Sequence, residues 1–152
     1  MASKPWVYPE VTSSDRIFGR FMVLASRLGI SVAGSRLLRV RGRSSGEWRQ
    51  APVNPLPFEG RTYLVAPRGH VQWVRNLRAA GEGELQRGWS RRRFTARELT
   101  DAEKPAILRA YLKKWAFEVG RFFEGVGADA SDDDLRAILP KHPVFEITQD
   151  PR

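Results

Sequence analysis

The chain contains no cysteine, which removes disulfides, a thiol nucleophile and thiolate metal sites from consideration. Its two histidines, His70 and His142, lie far apart in sequence, too few and too separated for a zinc site. No apolar run approaches the ~18–20 residues that a membrane-spanning helix needs. The opening "MASKPWVYPE" lacks the apolar stretch of a secretory signal, so a cytoplasmic protein is expected. There is no P-loop, no dinucleotide-binding glycine fingerprint and no Ser/His/acid arrangement with a recognisable motif. A catalyst built on its own acid–base triad is therefore not expected.

What the chain has in excess is positive charge. Across 152 residues, 26 lysines and arginines face 17 acidic residues, a net charge of +9. Most of these cations are arginine, whose planar fork grips phosphate and carboxylate in a way lysine cannot. Anionic partners follow: nucleic acid, an acidic membrane surface or a polyanionic small molecule. Length indicates one domain, residues 1–152, and a hydrophobic content of 41% indicates a packed core rather than disorder.

Along the chain, an extended leader covers residues 1–12. Ser13, Ser14 and Asp15 then cap a helix over 13–29, where Ile17, Phe18, Phe21, Met22, Ala25 and Leu28 recur at helical spacing before Gly29. That amphipathic helix suits packing on the domain, and equally suits peripheral contact with an anionic membrane through Arg16, Arg20 and Arg27. The barrel core with its helices is expected over 36–148. "RLLRVRG" reads as a strand, as does "RTYLVAP", and Pro52, Pro55 and Pro57 confine the segment between them to an edge or bulged strand. "VQWVRNLRAAG" reads as a helix ending at Gly81, with Trp73, Val74 and Leu77 inward. Residues 84–99 form a hairpin or bent strand around Gly88. Thr100 and Glu103 make a capping box opening a helix that carries Ile107, Leu108, Tyr111, Leu112 and Trp115. Ser131 and the acidic run 132–134 start a last helix, the acids matching the helix dipole rather than a metal. "PVFEI" at 143–147 closes as a strand. Short strands interrupted by single helices predict an α+β fold, a mainly β barrel core wrapped by helices, rather than a doubly wound sheet.

Two stretches carry anion chemistry. In "GRSSGEWR", Gly42 and Gly46 let the backbone turn and expose N–H groups, Ser44 and Ser45 offer hydroxyls, and Arg43 and Arg49 supply two forks. In "VAPRGHVQWVRNL", a strand runs through Arg68 and Gly69 into a helix start, where free amides favour anions. Either stretch alone also fits an ordinary polar loop; the pair is more specific.

"GRSSGEWRQAPVNPL", "YLVAPRG", "WVRNLRAAG" and "HPVFEI" together resemble the deazaflavin (coenzyme F420)-dependent nitroreductase and quinone reductase family over about residues 36–147. The resemblance implies a split β-barrel of the FMN-binding type and a deazaflavin cofactor carrying a phosphate and an oligoglutamate tail. It implies a cofactor site in which Arg43, Ser44, Ser45 and Arg49 match the phosphate-binding turn. Val65, Ala66, Arg68 and Gly69 match the loop along the cofactor, and Trp73 and Asn76 match the following tryptophan and asparagine. Two positions depart from the family pattern: Ser44 stands where lysine is frequent, and His70 where a second glycine is frequent. Hydride chemistry would reside in the cofactor, so the missing triad is expected.

The implied activity is hydride transfer from reduced F420 to a small quinone-like or nitroaromatic acceptor. Trp6, Tyr8, Phe18, Phe21, Tyr111, Trp115 and Phe117 are candidates to line its pocket or to fill the core, with Tyr111 the candidate catalytic hydroxyl. Flavin mononucleotide is the alternative cofactor, and a carrier without turnover the alternative role. A homodimer is compatible with the apolar pattern. A nucleic-acid-binding module draws on "RGWSRRRF" at 87–94, but strand alternation splits Arg91 and Arg93 from Arg92, and no specific nucleic-acid partner is expected.

Overall fold

The computed structural model describes residues 36–123 and 125–150, and of residues 116–121 the backbone path only. The leader, the expected helix over 13–29 and the aromatics Trp6, Tyr8, Phe18 and Phe21 lie outside the described residues, as does the side chain of Phe117.

Seven strands run β1 (Arg36–Arg41), β2 (Trp48–Val53), β3 (Leu56–Phe58), β4 (Arg61–Val65), β5 (Glu82–Arg87), β6 (Ser90–Glu98) and β7 (Val144–Gln149). Among the described residues three α-helices interrupt them: α1 (Gln72–Ala80), α2 (Pro105–Val119) and α3 (Asp132–Ile138). The strands form one sheet in the order β2-β1-β5-β6-β7-β4-β3, antiparallel at every pairing.

That order forces curvature. β2 and β3 are the two outer strands, yet only Asn54 and Pro55 separate them in the chain. Laid flat, seven strands would put the outer pair about 29 Å apart, whereas Val53 to Leu56 spans at most about 10 Å. The sheet therefore curls until its edges meet. Pro52 in β2 and Pro57 in β3 lack the N–H groups that would knit that seam, so the barrel stays split along it. The prolines that mark an edge strand in the sequence thus mark both edges.

Alternation along the strands divides the core in two. Leu38, Val40, Leu64, Phe94, Phe145 and Ile147 pack on one face with Val74 and Leu77 of α1. Tyr63, Val65 and Val144 pack on the other with Leu108, Tyr111 and Leu112 of α2 and Leu135 and Ile138 of α3. α1 ends at Gly81 in the left-handed conformation (φ 71°), whose N–H closes on the Leu77 carbonyl. The 84–99 region resolves into the β5–β6 hairpin, with Gly88 (φ 59°) and Trp89 at its turn.

Two details differ from the sequence expectation. The Glu103 carboxylate accepts from both the Thr100 N–H (2.9 Å) and its hydroxyl (3.1 Å), but this box closes a single 3-10 turn, Asp101–Glu103. The α-helix restarts at Pro105, whose fixed φ and missing N–H suit the first helical position. Arg39 lies between two core residues of β1 and is itself buried, paired in register with Glu84 and stacked 4.7 Å from the Trp48 ring centroid. Alternation alone would leave it in solvent; a carboxylate and an indole cover it instead.

Candidate active site

A cleft of about 820 Å³ lies along β2, within the range of roughly 300–1,000 Å³ usual for small-molecule sites. One mouth is the β1–β2 turn. The opposite wall is the β4 end, the following loop and the first turns of α1, and Tyr111 of α2 contributes from beneath. Of the residues singled out from sequence, Arg43, Ser44, Ser45, Arg49, Val65, Arg68, Trp73, Asn76 and Tyr111 all line this one space.

The turn is internally braced. Gly42 N–H donates to the Glu47 carbonyl (2.7 Å) and Gly46 N–H to the Gly42 carbonyl (2.9 Å), with Gly46 at φ 73°. The Ser45 hydroxyl oxygen accepts from the Glu47 N–H (3.1 Å) and from Arg49 Nη2 (3.5 Å). Ser45 still has its own proton to donate outward. Gly42 leaves room for the Ser45 hydroxyl in this position, since a Cβ there would sit 2.8 Å from Ser45 Oγ and turn that side chain aside.

α1 holds the turn from behind. Gln72 and Asn76 are one helical turn apart on the same face. Asn76 Oδ1 accepts from the Arg43 N–H (3.1 Å) and from Arg43 Nη1 (2.8 Å), and Gln72 Oε1 also accepts from that nitrogen (2.9 Å). Asn76 is buried in the cleft wall, with its carbonyl oxygen committed to Arg43. α1 begins at Val71 with no side-chain cap and no acidic residue in its first turn. Trp73 is half-buried in the wall, its ring 6.2 Å from that of Phe145.

Ala66 and Gly69 do not line the cleft but shape its floor. Ala66 is fully buried, its N–H donating to the Pro143 carbonyl (2.9 Å). Gly69, at φ 86°, approaches the chain near Lys141 so closely that a Cβ would lie 3.0 Å from that carbonyl. Tyr111 is almost wholly enclosed, with its ring 6.3 Å from Phe123. Trp115 packs in the core instead of the cleft, the more ordinary of its two expected fates. Sequence reasoning also passed over Gln50, Ala51, Val53 and Asn54, which make up the β2 wall. The run of prolines identified an edge strand, and an unpaired edge is where a flat ligand can approach backbone.

The cleft gathers cations and no acidic side chain. Seven arginines elsewhere, Arg39, Arg61, Arg78, Arg93, Arg97, Arg109 and Arg136, pair with carboxylates. Arg43 and Arg49 bond only neutral groups, and Arg68 lies 6.0 Å from the Phe122 ring centroid. Among the described residues none of these three has a carboxylate partner, and no acidic side chain lines the cleft. The shifted titrations lie elsewhere: hydrogen bonds from Arg78 hold the Glu98 carboxyl below its ordinary range, and the Thr100 N–H and Arg97 do so for Glu103. No group of three or more potential metal ligands occurs among the described residues, and no helix there is long and apolar enough to cross a membrane.

No curated protein matches the chain. Among solved structures, an F420-H2 dependent reductase (FDR-A) superposes with a TM-score of 0.53 at 22% identity, covering 76% of this chain and 94% of that one. A structure described as a domain-swapped dimer gives 0.53 at 20% identity, covering 90% and 99%. A protein of unknown function from Agrobacterium tumefaciens gives 0.53 at 14%, covering 99% and 58%. At these identities the likeness establishes the split-barrel fold. The family model described as F420H(2)-dependent quinone reductase matches residues 17–144, most of the chain. The chain belongs to the F420H(2)-dependent quinone reductase family: it is an F420-dependent oxidoreductase, and its cofactor is coenzyme F420.

Proposed function

We propose that the cleft along β2 binds F420 and that the enzyme delivers a hydride to a flat quinone-like or nitroaromatic acceptor. The observation that carries this reading is the convergence of Arg43, Arg49 and Arg68 with Ser44 and Ser45 on one cleft that no acidic side chain lines, none of the three arginines having a carboxylate partner among the described residues. The residues present fit the cofactor. Arg43, Ser44, Ser45 and Arg49 supply cations and hydroxyls for its phosphate, and Arg68 beside the uncapped start of α1 adds positive potential for its carboxylates. The departure at Ser44 removes one lysine from the family pattern and leaves two forks in place.

When bound, the cofactor supplies hydride chemistry at its ring carbon. The chain's own work is to orient and to exclude water. Val40, Val53, Val65, Pro67 and Trp73 make dry walls, and the Gln50–Asn54 edge presents backbone to a planar ring. We assign the Tyr111 hydroxyl, at the enclosed end away from the turn, to the acceptor. A cofactor with several negative charges does not cross bilayers, so the reading keeps this enzyme in the cytoplasm. The similar domain-swapped dimer supports a homodimeric assembly, which sedimentation equilibrium reads directly.

The test is a titration of the protein with F420, followed by intrinsic tryptophan fluorescence, with the Arg43→Ala, Arg49→Ala double variant alongside. Loss of two charge-assisted contacts weakens binding by about 2–4 kcal/mol. Equal affinity in the variant removes the turn from the site, and quenching by flavin mononucleotide with none by F420 overturns the cofactor placement.

A further inference from the structure

Trp89 is the one large hydrophobic residue fully exposed among those described, at 99%. Tryptophan seldom stands clear of its own protein, because its ring is better buried against something. Here it is held out deliberately. Six register pairs, from Glu82↔Thr95 to Arg87↔Ser90, make the β5–β6 hairpin a stiff arm. Gln86 Nε2 donates to the Gly88 carbonyl (2.8 Å) and Gln86 Oε1 accepts from Arg91 Nε (3.2 Å), which braces the turn on both sides.

Around the indole the charge is positive. Arg87 has no ion-pair partner among the described residues and is exposed. Arg91 donates to the neutral Gln86, and Arg92 to the Gln149 side chain (3.1 Å) and the Asp150 carbonyl (2.6 Å). A lone exposed indole on a hairpin tip that carries arginines, with no other exposed large hydrophobic residue among those described, is a poor match to a protein interface, which needs a broad buried centre. It matches the interface of an anionic bilayer, where the ring sits at headgroup depth and guanidiniums meet lipid phosphates.

We propose that the β5–β6 tip anchors the enzyme peripherally to anionic lipid, Trp89 entering the headgroup layer with Arg87 on a lipid phosphate. Register adds a consequence for the cleft. Leu37 pairs with Gln86, and Arg36 with Val53, so the tip and the Val53–Asn54 end of β2 lie at the same end of the sheet. Two strand spacings, about 10 Å, separate β2 from β5. The end of the cleft away from the anion-binding turn is therefore the end held nearest the membrane, where an apolar acceptor dissolves. This orientation rests on the proposed function; the anchoring does not.

The experiment is flotation of the full chain with phosphatidylcholine vesicles, with and without phosphatidylglycerol, at several salt concentrations. Trp89→Ala keeps the net charge and lowers partitioning several-fold. Arg87→Glu changes two charges, each worth a factor of about five near an anionic surface, so it lowers partitioning about thirtyfold at low salt. Arg136→Glu, on α3, makes the same net-charge change and costs far less. F420 titration without vesicles is unchanged in all three, which separates failure of the anchor from failure of the cofactor site. Wild-type partitioning by Trp89→Ala, or equal losses for Arg87→Glu and Arg136→Glu, overturns the proposal in favour of general adhesion of a basic surface. So does loss of self-association or of oligonucleotide binding in Trp89→Ala while lipid binding persists.

Discussion

Replacing Asn76 by alanine tests whether the β1–β2 turn is held in place for the proposed cofactor or merely present. Asn76 Oδ1 accepts two bonds from Arg43, at 3.1 Å from the backbone and 2.8 Å from the guanidinium. Arg43 is exposed, so both donors recover water when the acceptor is lost, and the stability cost is about 1–2 kcal/mol, at the low end for such bonds. The larger consequence is orientational. Freed of Asn76, the arginine keeps only Gln72 and regains part of the roughly 2 kcal/mol of rotamer entropy such a side chain carries. Affinity for F420 then falls about fivefold, a loss near 1 kcal/mol, while urea unfolding shows a folded protein. A double-mutant cycle with Arg43→Ala sharpens the test, because that change removes the guanidinium bond and leaves the backbone bond to Asn76 intact. On this background Asn76→Ala costs about half as much binding energy as on the wild type. Equal factors in the two backgrounds would refute the reasoning and return Asn76 to direct ligand contact.

Two predictions concern the scaffold. Gly83 faces Phe94 across β5 and β6, and a Cβ there would lie 2.7 Å from the Arg39 carbonyl oxygen and 3.0 Å from the Phe94 ring, so Gly83→Ala costs about 1–3 kcal/mol of stability, read as a lower urea midpoint; an unchanged midpoint contradicts that packing. Glu98 is gripped by Arg78 through bonds of 2.6 and 2.8 Å, which depresses its carboxyl pKa in the fold below the ordinary 4.5. Its contribution is complete above that value and lost as pH falls through the lower folded value, so the stability gap to Glu98→Gln, under about 1 kcal/mol, closes below pH 4.5; a gap independent of pH speaks against the pair.

How much of the site was legible depended on whether its chemistry was local in the chain. The β1–β2 turn was readable because its glycines, hydroxyls and arginines sit within eight residues, and a tight turn brings them together without help from the fold. The loop into α1 was readable for the same reason. The β2 wall was not, because nothing in Gln50–Asn54 shows what lies across its unpaired edge. Asn76 was identified, but its bonds to Arg43 were not: 33 residues separate the two, and sequence carries no sign of a hydrogen bond over that distance. Trp89 was visible only as part of a basic stretch, and its isolation emerged once Phe94 was seen to be buried while the hairpin tip stood clear.

By itself the sequence determined most of the strands and helices of the described residues, where the edge strands fall and which turn gathers hydroxyls and arginines, since periodicity, proline chemistry and turn composition act over a few residues. Tertiary structure alone decided that β2 and β3 meet after the sheet has curled, that one cleft joins the turn to Tyr111, and which of its arginines have no carboxylate partner among the described residues. The physical reason is that pairing between distant strands sets distances no local rule encodes. A guanidinium is free for a phosphate only when no carboxylate from elsewhere in the chain has reached it first.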